Sequence, residues 1–136
     1  MNPLFKEILT ESKRIAVVGL SPRPERPSYA VARYLQTQGY EIIPVNPNYT
    51  EILGKKSFPN LRAVPGSVDV VDIFRRSEFV PAIVDEALTV GARYIWMQEG
   101  VLHPEAARKA EQAGVPVVMD FCMKVAHSLL RLDGEI

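Results

Sequence analysis

The sequence predicts an α/β fold: a doubly wound sheet of five parallel strands, most simply in the order 3-2-1-4-5, with helices on both faces. Three observations predict it. Five short runs are rich in β-branched or aromatic residues and are bounded by glycine, proline or polar residues. Between them, apolar residues recur at helical spacing, so strands and helices alternate, which calls for right-handed crossovers between parallel strands. The first run ends on Gly19, and a short loop then leads into a helix, the layout by which such sheets hold phosphate groups.

Leu4, Phe5, Ile8 and Leu9 put an apolar stripe on an N-terminal helix at about residues 3–12. Ile15–Gly19 is the first strand. Ser28 opens a helix that Gly39 closes. Glu41–Val45 is the second strand, with Pro44 placed at its end, where a missing N–H costs least. The stretch from Pro47 to Pro65 is long for a loop and is expected to hold a short helix or a lid. Val68–Ile73 is the third strand. Val80, Ile83, Val84, Ala87 and Leu88 then mark a helix ended by Gly91. Arg93–Met97 and Val115–Met119 are the last two strands, separated by a helix from Pro104 to Gly114. Cys122, Val125, Ala126, Leu129 and Leu130 give the C-terminal helix its buried side.

Composition narrows the functional classes. A length of 136 residues suits one domain spanning 1–136. Sixteen Lys and Arg balance sixteen Asp and Glu, so no global field draws the chain to nucleic acid or to a membrane surface. No apolar run reaches the ~18 residues of a spanning helix, and the N-terminus has no secretory pattern. A single cysteine excludes a disulfide within the chain. These features together point to the cytoplasm. Metal-ligand spacings such as Cys-x-x-Cys and His-Glu-x-x-His are absent.

Ligands of such a sheet bind beyond the carboxyl ends of its strands, which leaves five loops to read. The first holds Gly19, Ser21, Pro22, Arg23, Arg26 and Ser28. Amides at a helix start, two hydroxyls and two guanidiniums suit a diphosphate; the plainer role for Ser28 is a helix N-cap. The loop has one glycine and three prolines, which departs from the G-x-G-x-x-G dinucleotide fingerprint. The second begins Asn46-Pro47-Asn48-Tyr49, where a nicotinamide dinucleotide site places an acid on the ribose. Lys55 and Lys56 follow and either meet an extra phosphate or are solvated. In the third, Phe74 is either a stacking ring or core, and Arg75 and Arg76 either face an anion or pair with Asp69 and Asp72. The fourth, Gln98 to His103, offers Gly100 for close backbone approach and Glu99 as the one carboxylate resembling a general base, though without a partner. The fifth contains Cys122 and Lys124. His127 lies five residues past Cys122, a poor helical spacing for a nucleophile and base, so a packing role for the thiol is expected.

Taken together, Val18-Gly19-Leu20-Ser21, Val45-Asn46-Pro47-Asn48-Tyr49, Asp72-Ile73-Phe74-Arg75-Arg76, Gln98-Glu99-Gly100-Val101 and Asp120-Phe121-Cys122-Met123-Lys124 resemble the small stand-alone CoA-binding proteins of bacteria and archaea. That family is related to the CoA-binding domain of the succinyl-CoA synthetase α subunit. The resemblance implies a Rossmann-like fold with coenzyme A lying across the strand ends. It implies Gly19, Ser21 and Arg23 at the phosphate turn, Asn46 and Pro47 beside the nucleotide, and Phe74 and Arg75 flanking the adenosine. Glu99, Gly100 and Cys122 would lie toward the other end. The chain departs from the family at Phe121, where Arg is common, and at Ala126, where Glu is common. The synthetase's second domain, with its phosphorylated histidine, has no counterpart in these residues, so ligase activity is not implied. The expectation is a protein that binds free CoA or an acyl-CoA without catalysis of its own. The alternative is an NAD(P)-binding sensor or oxidoreductase of similar fold, and a third reading makes Cys122 the centre of thiol chemistry with CoA.

Overall fold

The computed structural model describes all residues from Met1 to Ile136. Helix α1 (Pro3–Glu11) precedes strand β1 (Arg14–Val18), helix α2 (Pro27–Thr37) and strand β2 (Glu41–Val45). A small hairpin, β3 (Glu51–Ile52) and β4 (Lys55–Lys56), and a 3-10 turn at Leu61–Ala63 lead to β5 (Val70–Ile73). Then come α3 (Val80–Thr89), β6 (Tyr94–Met97), α4 (Pro104–Gln112), β7 (Val117–Val118) and α5 (Met123–Leu132). The expected strands and helices are all present, with the fifth strand cut to two residues. The Pro47–Pro65 stretch folds as the hairpin and a 3-10 turn, so the expected short helix is there and the hairpin is an addition.

The strand order corrects the expectation. The five-stranded parallel sheet runs β2-β1-β5-β6-β7, which in strand sequence is 2-1-3-4-5 rather than 3-2-1-4-5. Pro44 supplies the physical reason. Glu41 N–H bonds the Lys13 carbonyl and the Val45 carbonyl accepts from Gly19 N–H, so residues 41, 43 and 45 turn their backbone groups toward β1. Pro44, one residue out of step, turns its backbone away from β1. Were β2 an interior strand, the neighbour on that side would lose a donor at Pro44. At the edge the missing N–H costs nothing, and the Pro44 carbonyl accepts from Phe58 N–H at 3.0 Å. Pro44 therefore sits inside its strand, on the outer edge of the sheet.

Side chains alternate across the sheet into two cores. Ala16, Val18, Ile43, Val71, Ile73, Ile95 and Met97 meet Val80, Val84 and Ala87 of α3 and the alanines of α4. Ile15, Val17, Ile42, Val70 and Trp96 meet Phe5, Ile8, Val31, Leu35, Met123 and Ala126 of α1, α2 and α5. Trp96 is fully buried; its indole N–H donates to the Phe121 carbonyl at 2.7 Å, so this bulky ring leaves no orphan donor. From β1 the chain turns outward to β2, then returns past β1 to β5. The loops after β1 and β5 therefore diverge at the sheet's switch point, and a crevice opens between them.

Candidate functional site

Beyond the strand ends lies an open cleft of about 760 Å³, formed by residues of all five loops. Of the residues the sequence proposed for the ligand, Gly19, Ser21, Arg23, Ser28, Asn46, Phe74, Arg75, Glu99, Gly100 and Cys122 line it. Pro22 and Pro47 do not; they shape the loops that carry their neighbours. Arg26, Asn48, Tyr49, Arg76, Gln98 and Val101 also line it.

Gly19 sets the floor. Its φ is +88°, and a Cβ there would stand 2.6 Å from the Phe74 carbonyl oxygen and 2.9 Å from Arg75 Cδ. Only glycine lets the loops after β1 and β5 approach this closely. Helix α2 then starts at Pro27, one residue earlier than expected, with Arg26 in the cap position and no side-chain cap. Ser28 is not the N-cap. Its buried Oγ accepts from Ser21 N–H at 3.0 Å, and Ser21 Oγ accepts from Arg23 N–H at 3.1 Å, so both hydroxyls brace the loop. The Ser28 and Tyr29 amides have no protein partner, and neither Arg23 nor Arg26 has a carboxylate within 4.0 Å. This end of the cleft is a cationic helix terminus open to an anion.

Asn46 does structural work that sequence reading missed. Its Nδ2 donates to the Leu20 carbonyl at 3.0 Å, and its Oδ1 accepts from Asn48 N–H at 3.0 Å. Both ends of the amide are engaged, so it ties the end of β2 to the turn after β1. Lys55 and Lys56 lie on the hairpin rather than the cleft wall, and Lys56 Nζ sits 5.3 Å from the centre of the Phe58 ring.

The arginines after β5 do not pair with Asp69 or Asp72. The Arg75 guanidinium lies over the Phe79 ring at 4.5 Å, and Arg76 reaches Glu78 at 3.7 Å in an exposed pair of little energetic weight. Asp69 instead accepts from the Lys13 and Arg14 amides and faces Arg93 at 3.8 Å. Asp72 is fully buried on the α5 side of the sheet. Its Oδ1 accepts from Gln98 Nε2 at 2.5 Å, and its Oδ2 has no hydrogen-bond partner. Burial pushes its carboxyl up to about 7, with the Gln98 bond pulling the other way. Nothing about chain spacing marks this pair. The only signal was an acid inside the apolar run Val70-Val71-Asp72-Ile73.

At the far end, Asp120 Oδ1 accepts from Gly100 N–H at 2.7 Å, and Asp120 itself takes a φ of +57°. This contact pins the Glu99–Gly100 loop. Cys122 occupies the cap position of α5 but makes no side-chain cap bond; Gln98 Oε1, reaching over from the end of β6, accepts from Met123 N–H at 3.3 Å instead. His127 does not line the cleft beside Cys122, and its Nδ1 is bonded to the Tyr34 hydroxyl at 2.8 Å. His103 caps α4, its Nδ1 accepting from Ala106 N–H, and is likewise absent from the cleft wall. No cluster of three metal-ligating side chains occurs, and no helix is long and apolar enough to cross a membrane.

Residues 13–128 match the model of a family described as the CoA binding domain. The Bacillus subtilis (strain 168) protein YneT is 48% identical over 127 residues, covering 93% of this chain and 94% of that one. A solved structure from Pyrococcus horikoshii OT3 superposes with a TM-score of 0.92 at 39% identity, covering 96% of this chain and 92% of the other. The ADP-forming acetate–CoA ligase I of Archaeoglobus fulgidus is 26% identical across 94% of this chain, which spans only 20% of that enzyme. With the match running from β1 through most of α5, the chain belongs to the CoA binding domain family.

Proposed function

We propose that the protein binds coenzyme A, free or acylated, across the ends of β1, β5 and β6, without catalysing a reaction of its own. The observation that supports this most is the start of α2, where unpartnered amides and unpaired Arg23 and Arg26 stand over the Gly19 floor. Amides and guanidiniums there would hold the diphosphate by charge-assisted bonds. Arg75 and Arg76 add positive charge beside it, against the single carboxylate of Glu99 in the cleft wall. Phe74, half-buried at the wall, offers a ring face to the adenine. Cys122 and Gly100 would flank the thiol end.

A nicotinamide dinucleotide fits less well. The position that would bond its ribose hydroxyls is Asn46, whose amide is engaged at both ends. A catalytic role lacks a placed base: Glu99 is exposed with no hydrogen-bonded partner, and neither histidine lines the cleft. The ligase chemistry of the longer relative belongs to an enzyme of which this chain covers a fifth.

Calorimetric titration with CoA and NAD tests the reading. CoA should bind and NAD should bind more weakly; equal or reversed affinities would sink it. Native mass spectrometry of the purified protein adds a second check, since a retained ligand would identify itself by mass.

A further inference from the structure

The sheet carries a buried acid that the proposed binding role does not use. Asp72 sits in the middle of the fold, in register with Val17 of β1 and Trp96 of β6, both buried and apolar. One oxygen is bonded to Gln98 and the other has no protein partner. Such a group is costly to keep, and an apolar residue would fill the place without orphaning an oxygen. Its surroundings link it to the cleft. Gln98 is 2% exposed, yet it lines the cleft floor. Its amide bridges Asp72 on one side and the first amide of α5 on the other, so it caps a helix whose own cap residue, Cys122, does not. The chain Asp72–Gln98–Met123 N–H thus runs beneath the cleft floor that Gln98 lines.

Charge neutralisation at Asp72 is not available from neighbours. On its face of the sheet, Phe5, Val31 and Met123 are apolar. The titratable groups there bond elsewhere: His127 to Tyr34, Tyr40 to the Leu9 carbonyl and Tyr94 to Glu7. Lys124 lies over the Tyr34 ring, and Arg131 faces His127 and Gln38. An ionised Asp72 would therefore place an uncompensated negative charge one hydrogen bond below the floor of a cleft whose ligand is itself negative, in low-dielectric surroundings that screen repulsion poorly.

We propose that Asp72 is a positioning residue whose carboxyl is protonated on its free oxygen when the cleft holds an anion, so that ligand binding takes up a proton from solvent. Neutral Asp72 still accepts from Gln98, which keeps the start of α5 in place without opposing the ligand. By linkage, affinity must fall as pH rises through the titration of Asp72. The raised affinity of this carboxyl for protons puts that titration near neutrality. The inference rests on the CoA reading for the identity of the anion.

The test uses dephospho-CoA, whose diphosphate keeps one charge state between about pH 6 and 8 while its thiol stays protonated. The Asp72 side-chain carboxyl is titrated by carbon NMR in the free protein and with the ligand at saturation. Calorimetry then follows affinity over the same range for wild type and Asp72→Asn. The expected result is an upward move of the Asp72 midpoint on binding, and affinity falling about three- to tenfold from pH 6 to pH 8 in wild type but not in D72N. A midpoint that the ligand does not move, or the same pH slope in a folded D72N, overturns the proposal while leaving CoA binding intact. Absence of binding by dephospho-CoA and by CoA at every pH overturns the CoA reading and this proposal together. Should D72N fail to fold, the wild-type NMR titration decides alone.

Discussion

Replacing Gly19 by alanine tests the claim that the cleft floor is a close approach of two loops. The structure separates two costs. An L-residue at φ +88° is strained by about 1–2 kcal/mol. The new methyl would also meet the Phe74 carbonyl at 2.6 Å, and relieving that contact means moving backbone. Overpacking of this kind costs about 1–3 kcal/mol, so Gly19→Ala should lose roughly 2–5 kcal/mol in total. Gly100→Ala is the control. Its φ is +82°, but nothing lies within 4 Å of the added Cβ, so only the conformational cost applies. That variant should lose about 1–2 kcal/mol. Urea unfolding of the three proteins, read as midpoints at a common slope, gives the difference directly. Displacing Phe74 and Arg75 should also weaken CoA binding in Gly19→Ala by calorimetry. Equal losses of stability in the two variants would refute the close-approach argument, because the clash is the only term that distinguishes them.

Arg23→Ala should weaken CoA binding by about 1–3 kcal/mol, the range of a charge-assisted hydrogen bond, with an unchanged melting temperature for the free protein, since Arg23 has no carboxylate partner; normal binding would place the phosphate elsewhere. Asn46→Asp should destabilise the fold by about 1–3 kcal/mol in urea unfolding, because the Leu20 carbonyl loses its donor, and should not create NAD affinity. Cys122→Ser should keep the fold and bind CoA within about tenfold, since the thiol makes no cap bond and has no base; a reducible adduct with oxidised CoA that is required for binding would reverse this. Asp72→Asn should change the pH dependence of stability. The folded carboxyl titrates at about 7, above its unfolded value, so its favourable contribution is complete below about pH 4 and is lost as pH rises through 7. Thermal melts from pH 5 to pH 8 should fall more steeply for wild type than for D72N.

Much of the fold was legible because its signals are local. Ile15–Val18 and Glu41–Val45 announce themselves by β-branching, and Pro27, Pro81 and Pro104 stand in the first turns of their helices. Strand order is not local. It turned on the direction in which Pro44 points its backbone, which follows from register rather than composition. Most of the loop residues were likewise placed at the cleft by topology, since loops after parallel strand ends gather there, although Pro22 and Pro47 stand off its wall. What sequence could not supply was the state of each side chain. Asn46 reads as an unfilled ribose position but is a brace, Ser28 reads as a cap but is a brace, and Asp72 reads as one candidate ion-pair partner for the arginines after its strand but is buried with Gln98. Those roles depend on which polar atoms meet across the chain, seven residues apart for Ser28 and 26 for Asn46 and Asp72.

Pro44 has a consequence for the behaviour of many copies together. A sheet that ends in an unprotected strand offers its row of amides and carbonyls to any neighbour that can extend it, and such edges seed aggregates. Here the β2 border lacks one amide at Pro44. The adjoining Pro44 carbonyl and Asn46 amide are already taken by Phe58, whose segment follows the charged tip of Lys55 and Lys56. At the opposite border β7 contributes only Val117 and Val118. Neither side of the sheet is long or free enough to template another chain, so the same proline that keeps β2 at the border also helps keep that border from recruiting a second copy.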